Sequence, residues 1–155
     1  MEWKCNSFDE LSARELHDVL KARVDIFVVE QDCAYHEVDG YDPESWHLQL
    51  LIDGKLAAYA RLMKAGTKYN KASIGRIIVV EEFRSRQLGR QLVQKAIDLM
   101  KEWGTEEIML QGQTYLRDFY RSFGFEEISV EYLDDGIPHV DMLLTINQTE
   151  KSEKS

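Results

Sequence analysis

Long hydrophobic runs are missing from this chain of 155 residues. No stretch nears the roughly 20 apolar residues that cross a bilayer. The opening MEWKCNS lacks the basic-then-apolar pattern of a secretion signal, so the expectation is a cytoplasmic protein without a membrane partner. Cysteine is scarce, and Cys5 and Cys33 stand apart with no CxxC or His-rich spacing, which reads as two free thiols. With 9 Gly and 2 Pro, the chain is neither collagen-like nor low in complexity. Positive charge is short, since 19 Lys and Arg face 28 Asp and Glu for a net −9. A polyanion needs a strong positive field, so nucleic acid is not an expected partner. Acidity suits a cationic or amine partner, and serves solubility equally well. The phosphate signatures GxxxxGK[ST] and GxGxxG are both absent. His36, Glu37, Asp39, Asp42 and His47 gather in one stretch, but their spacing fits neither H-E-x-x-H nor an EF-hand loop, so no metal is expected.

What is present fits one domain over residues 1–146, with a polar tail over 147–155 (NQTEKSEKS). A chain of this size buries roughly 68–70% of its unfolded surface and needs no disulfide or metal staple. Ser12-Ala-Arg-Glu15 is a capping box, and Leu16, Val19, Leu20, Val24 and Phe27 follow at helical spacing. The chain is polar and irregular from Gln31 to Trp46. His47 to Ile52, Asp53-Gly54 and Leu56 to Met63 read as a hairpin, because Asp-Gly supplies the positive φ of a tight turn. Ile74 to Val80 is a β-branched run suited to a strand buried on both faces. Leu88, Leu92, Val93, Ala96, Ile97, Met100 and Trp103 form a helical stripe that Gly104 stops. Ile108 to Leu110 predicts a strand, and Leu116, Phe119, Tyr120 and Phe123 a short helix ending at Gly124. Ile128 to Tyr132 and Val140 to Ile146 close as two strands around Asp134-Asp-Gly-Ile-Pro138. The expected order is β-α-β-β-β-α-β-α-β-β, a mixed α/β (α+β) fold.

The sharpest chemical feature is VVEEFRSRQLGR over 79–90, a strand leaving directly into a helix. A helix start presents unpaired N–H groups and about half a positive charge, which together bind phosphate. Gly89 lets backbone approach a ligand, and Arg84, Arg86 and Arg90 add charge. A solvated arginine face would produce the same spacing. Arg84-x-x-Gln87-x-Gly89 after a strand, followed by FYRSFGF over 119–125, resembles the GNAT N-acetyltransferase superfamily, whose motifs are [Q/R]-x-x-G-x-[G/A] and FY-x-x-x-GF. RVDIFVVEQ over 23–31, His47-Leu48, AYAR over 58–61, Gly75-Arg76 and DGIPH over 135–139 resemble its ElaA-like branch.

The resemblance implies a mostly antiparallel GNAT-like sheet flanked by helices, and an N-acetyltransferase with acetyl-CoA as acyl donor. A small-molecule amine or an exposed protein amine would be the acceptor, and the family also allows a homodimer. Ile77, Ile78 and Val79 would bind the pantetheine arm through their backbone. Arg84, Ser85, Arg86, Gln87, Leu88, Gly89 and Arg90 would cradle the pyrophosphate, with Gln113, Phe119 and Tyr120 completing the cofactor contacts. Gln87 departs from the motif glycine, at a cost of about 1–2 kcal/mol if the backbone there is left-handed. Tyr120 would protonate the departing thiolate; equally, it fits as a packing residue beside Leu116 and Phe123. Glu30 and His139 are the candidate bases: Glu30 follows an apolar helix where desolvation could raise its pKa, and His139 titrates near neutrality. Asp134, Asp135, Glu30, Glu37 and Asp39 would form an acidic mouth, or else solvated loops. Arg61 and Arg76, lying in apolar strands, need partners, as ion pairs or through a substrate carboxylate. A non-catalytic acyl-CoA sensor on the same fold is the alternative.

Overall fold

Ser12 opens the first helix through both halves of the expected box. Its hydroxyl accepts from the Glu15 amide at 3.0 Å, and its own amide donates to the Glu15 carboxylate at 3.0 Å. In this computed structural model the described residues are 1–146, and the expected polar tail over 147–155 lies outside them. Strand β1 (Glu2–Ser7) precedes helix α1 (Ala13–Val24). The stripe expected to run on through Phe27 changes phase, because the chain continues from Asp25 to Glu30 as a π-helical turn. There the Gln31 amide bonds the Ile26 carbonyl at 3.1 Å and the Cys33 amide bonds the Val28 carbonyl at 3.0 Å. Val24, Ile26, Val28 and Val29 are β-branched, which weakens a regular helix at that point. The hairpin follows as β2 (Trp46–Ile52) and β3 (Lys55–Met63), with Asp53 at φ 51° and Gly54 at φ 76°. Next come β4 (Ala72–Val79), α2 (Leu88–Glu102), β5 (Glu107–Gln113) and α3 (Arg117–Arg121). The chain closes with β6 (Glu126–Glu127), β7 (Tyr132–Asp134) and β8 (Ile137–Thr145).

Of the single strand expected over Ile128 to Tyr132, only Tyr132 is strand, as the start of β7; the rest is an interruption between β6 and β7. Both pair with β8, but at different places, Met142–Leu143 and Ile137–His139. Between them the Ser129 hydroxyl accepts from the Asp141 amide at 2.9 Å, where a strand would offer a carbonyl. A side-chain hydroxyl competing for backbone bonds breaks a ladder that β-branched composition alone would favour.

The sheet order is β1-β2-β3-β4-β5-β8-β6, with β7 also on β8. Every pairing is antiparallel except β4 with β5. That parallel pair registers only Ala72 with Ile108 and Ser73 with Met109, although β4 runs on to Val79 and β5 to Gln113. The strands therefore part, and of the Ile74–Val80 run expected to be buried on both faces only Ile74 and Ile78 are buried; Gly75, Arg76, Ile77, Val79 and Val80 are half-buried. A bulge sits at the same place. Arg61 pairs with Gly75 and Tyr59 with Ile78, so β4 spends one residue more than β3 between the two pairs. Arg76 takes up the excess at φ 51°.

An extra residue reverses which face each later side chain meets. Before the bulge Ile74 packs with Leu62, Leu92 and Met100 beneath α2; after it, Ile77 and Val79 join that cluster. Ile78 turns to the opposite face, against Val19 and Tyr59, where Ala22, Ile26 and Phe27 of the first helix and its π turn close over it.

Candidate active site

Where β4 and β5 part, a cleft of about 530 Å³ opens. Ile77, Ile78 and Val79 form one wall and Gln113 and His139 another, while Tyr120, Glu30 and Arg84 also border it. Beyond Ser73 the edge of β4 that faces β5 has no strand partner among the described residues. Unpaired strand backbone of this kind can take an extended ligand as an added strand. Ser85, Arg86, Gln87, Leu88, Gly89, Arg90 and Phe119 lie outside the cleft wall, around the start of α2.

That helix start is uncapped. Gln87 occupies the cap position at φ 57°, ψ 28° without a capping side-chain bond, and Ser85 is also left-handed at φ 72°. The first N–H groups of a helix so begun have no intrahelical acceptor and are free to meet an anion. Arg86 lies over the Phe83 ring at 5.3 Å, and Arg90 over Phe119 and Phe123 at 5.4 and 4.8 Å. The Arg90 guanidinium also donates to the Ser122 hydroxyl at 2.9 Å. A Cβ on Gly89 would meet Val79 at 3.8 Å and Phe119 at 3.9 Å, ordinary contact distances, so protein packing alone does not demand glycine there. Arg84 has a different task from its neighbours: it donates to the Val79 carbonyl at 3.1 Å and grips Glu30 with both terminal nitrogens, at 2.8 and 3.1 Å.

The candidate acid and bases fall into distinct settings. Tyr120 is buried, its ring edge-on to Phe119 and Phe125 at 5.3 and 6.2 Å. It lies so close to the Gly112 backbone that a Cβ there would come within 3.1 Å of the ring. Its hydroxyl has no hydrogen-bond partner among the described residues, and burial, with Tyr115 nearby, pushes its pKa above the ordinary tyrosine value. A phenol held protonated is a proton donor. Tyr120 thus combines a packed ring with a place on the cleft wall. His139 stacks on Tyr132 at 6.2 Å, and its Nδ1 lies 2.7 Å from the Ile137 carbonyl. A carbonyl only accepts, so Nδ1 carries the proton and Nε2 of the neutral ring holds the lone pair. Glu30 is exposed and committed to Arg84, so the desolvated carboxyl expected after an apolar helix is not what the fold provides. The Gln113 amide reaches Gln31 at 3.3 Å.

The expected acidic mouth is smaller than the sequence implied. Only Glu30, Asp134 and Asp135 of that set line the cleft. Glu37 is buried, and Asp39 is part of the same arginine network. Arg23, fully buried on α1, donates to Glu37 at 2.6 Å and Asp42 at 2.8 Å. Arg61 holds Asp39 with two bonds of 2.8 Å and Asp42 at 3.0 Å, while Arg76 reaches Glu37 at 2.8 Å and Asp39 at 3.2 Å. Burial works to raise the Asp39 and Asp42 carboxyls, but these arginines outweigh it and hold both below the ordinary range. His47, in the same stretch, is also taken: Nδ1 meets the Tyr59 hydroxyl at 2.7 Å and Nε2 the Asp42 carbonyl at 3.0 Å. Sequence reading missed Lys68, Tyr69 and Ser73, which line the inner cleft. Lys68 and Tyr69 lie on the irregular approach to β4 and Ser73 in its second position, ahead of the β-branched run, where no periodicity signals a site. Gly112, a glycine inside a strand, was a usable signal, since it marks a close approach.

Comparison with known proteins supplies the family. An acetyltransferase (GNAT) domain model matches residues 14–146. Protein ElaA of Escherichia coli is 36% identical over 151 residues, covering 96% of this chain and 99% of that protein. The crystal structure of an acyl-CoA N-acyltransferase from Pseudomonas aeruginosa superposes with a TM-score of 0.87 at 34% identity, over 94% of this chain and 100% of that one. The crystal structure of Escherichia coli ElaA gives a TM-score of 0.85 at 35% identity, over 93% and 99%. The uncapped helix start, the parted strands and the two sequence motifs thus stand on a shared fold, and the chain belongs to the GNAT acetyltransferase family, on its ElaA-like branch.

Proposed function

We propose that the protein transfers the acetyl group of acetyl-CoA directly to an amine, in the cytoplasm and without a metal. The observation that carries this reading is the cleft between β4 and β5, which has unpaired strand backbone on one side and a protonated, buried tyrosine on another. In this reading the pantetheine arm lies along Ile77–Val79, and the pyrophosphate meets the first amides of α2 with Arg86 and Arg90 beside it. A backbone N–H near Val79 faces the developing oxyanion. The amine nitrogen attacks the thioester carbonyl, the C–N bond forms, and the C–S bond breaks as the thiolate takes the Tyr120 proton. His139 Nε2 removes the proton that the nitrogen sheds. His139 is preferred over Glu30 because its lone pair is unclaimed, whereas both oxygens of Glu30 are held by Arg84.

The test is CoA release from acetyl-CoA across a panel of small amines and lysine-bearing peptides, alongside a thermal melt. Ligand at about 100 times its dissociation constant adds roughly 2.7 kcal/mol, or about 5–11 °C for a domain of this size. No shift at millimolar acetyl-CoA would defeat the donor assignment. A shift without release on any amine would leave a binding domain in place of an enzyme.

A further inference from the structure

The inner end of the cleft holds polar groups that the acetyl-transfer reading does not use. Arg61 and Ser73 both line it, only 1% and 2% exposed, and among the described residues the Arg61 Nε and the Ser73 hydroxyl have no hydrogen-bond partner. They belong to neighbouring pairs on one face of the sheet: Arg61 opposes Gly75, and Ser73 opposes Met63. Gly75 carries no side chain, and a Cβ there would meet nothing within 4 Å, so the space above Arg61 stays open. A guanidinium Nε–H can only donate, and leaving such a group desolvated and unmatched is costly.

Cationic side chains gather around these groups. Arg23, Arg61, Arg76 and Lys68 meet Glu37, Asp39 and Asp42 at ion-pair distance, and Asp134 on the same cleft also acts on Lys68. Lys68 sits 3.8 Å from Asp39, and burial, with Arg76 and Arg61, pulls its pKa below the ordinary lysine value despite that carboxylate. Buried charge is tolerated when paired. A carboxylate at this end would accept the two orphaned bonds beside these cations.

We infer that the acceptor is an amino acid-like amine, whose carboxylate docks on Arg61 and Ser73 while its nitrogen faces the thioester. The inference rests on the acetyl-transfer reading for its direction but not for its binding site. Tyr120 belongs to the cluster beneath α2, whereas Arg61 lies on the α1 face with Tyr59; both reach one cleft because the strands between them have parted. A bound acceptor thus spans from the carboxylate end on one face to the reacting centre in the split. The two halves of its recognition are separate, so they can be tested separately.

The experiment uses matched probes: alanine, β-alanine and 6-aminohexanoate against their carboxamides. Binding is measured by calorimetry on the protein with CoA, and turnover by CoA release. A bond to a charged partner lost on amidation should weaken binding about tenfold or more for at least one pair. Equal affinity within every pair would overturn the inference whatever the turnover. Ser73→Ala should cut the acid-over-amide preference about tenfold with an unchanged melting temperature, since the lost hydroxyl has no protein partner; an unchanged preference would remove Ser73 from the site. Lys68→Gln should lower the same preference, and a variant that binds acid and amide as the parent does would show that the Lys68 charge is not read. If the acids bind better but no amine is acetylated, the carboxylate site stands and the transferase reading falls. If acids and amides are acetylated with equal efficiency, the reverse holds.

Discussion

Replacing Tyr120 with phenylalanine separates chemistry from packing better than any other single change in this molecule. The ring lies between Phe119, Phe125 and the Gly112 backbone, and Phe preserves all three contacts. The hydroxyl has no partner among the described residues, so removing it orphans nothing and relieves a desolvated group. The melting temperature should therefore hold or rise slightly. General acid catalysis is typically worth about 10²–10⁴-fold, or roughly 2.7–5.4 kcal/mol at 1.36 per factor of ten. With an acceptor in hand, kcat for CoA release should fall by at least about a hundredfold, while acetyl-CoA affinity stays unchanged. Because burial raises the Tyr120 pKa above its ordinary value near 10, the wild-type rate should not decline through ionisation of this group between pH 7 and about 10. Gly112→Ala provides a second approach to the same hydroxyl: its methyl would come within 3.1 Å of the ring and must push it aside, lowering kcat with the phenol still present. Normal turnover in Tyr120→Phe would show that solvent protonates the thiolate. A loss of stability at full rate per folded molecule would make Tyr120 a core residue and nothing more.

Three further outcomes follow from the geometry. Gln87 is left-handed at the cap position, and a loop that keeps this backbone with and without CoA would gain about 1–2 kcal/mol from Gln87→Gly in both states; the gain is partly offset by unfolded-chain entropy of about 0.4–1 kcal/mol. Acetyl-CoA affinity should stay within about twofold and the melt rise by a few degrees at most, and a tenfold tighter complex would mean that the loop rearranges on binding. Asp42→Asn leaves Arg23 and Arg61 facing a neutral group. Breaking a buried pair costs about 3–5 kcal/mol, so the melting temperature should drop by roughly 6–20 °C; a drop under about 3 °C would show that the remaining carboxylates compensate. Since Asp39 and Asp42 titrate below their unfolded values, their stabilisation is complete above about pH 4 and is lost as pH falls through the folded values. Thermal melts should be level between pH 7 and 5 and decline below 4, with Asp42→Asn losing less over that acid range than the parent; equal acid losses would place the sensitivity elsewhere.

Local chemistry was legible wherever one short segment determines the outcome. The Ser12–Glu15 box, the Asp53-Gly54 and Asp135-Gly136 turns, and the α2 stripe from Leu88 to Met100 all formed as their spacing predicts. So did the strand-to-helix turn at Gln87. Features created by two distant segments were not legible. Nothing in Ile74–Val80 announces that β5 leaves it after Ser73, or that Arg76 carries a bulge. The fates of Glu37, Asp39 and Asp42 depended on arginines from α1, β3 and β4, so a stretch that reads as an acidic mouth became the interior of a charge network. The same holds for Ser73 and Lys68, polar residues of unremarkable spacing that acquire meaning only from the cleft they border. Ile128 to Tyr132 failed for a local reason that composition hides, a serine hydroxyl standing in for a strand carbonyl.

The surplus residue at Arg76 gives the cleft an unusual mutational signature. A binding groove lined by particular side chains erodes by substitution, one contact at a time. Here the turnabout of β4 comes from counting, because three steps on that strand oppose two on β3. Exchanging Arg76 for glycine would keep the count and suit its φ of 51°. Removing either residue between Gly75 and Ile78 would restore even pairing, leave Ile78 opposite Tyr59 and straighten the edge that parts from β5. In a library combining substitutions with single deletions, this segment should tolerate the first far better than the second, even at positions whose side chains touch nothing.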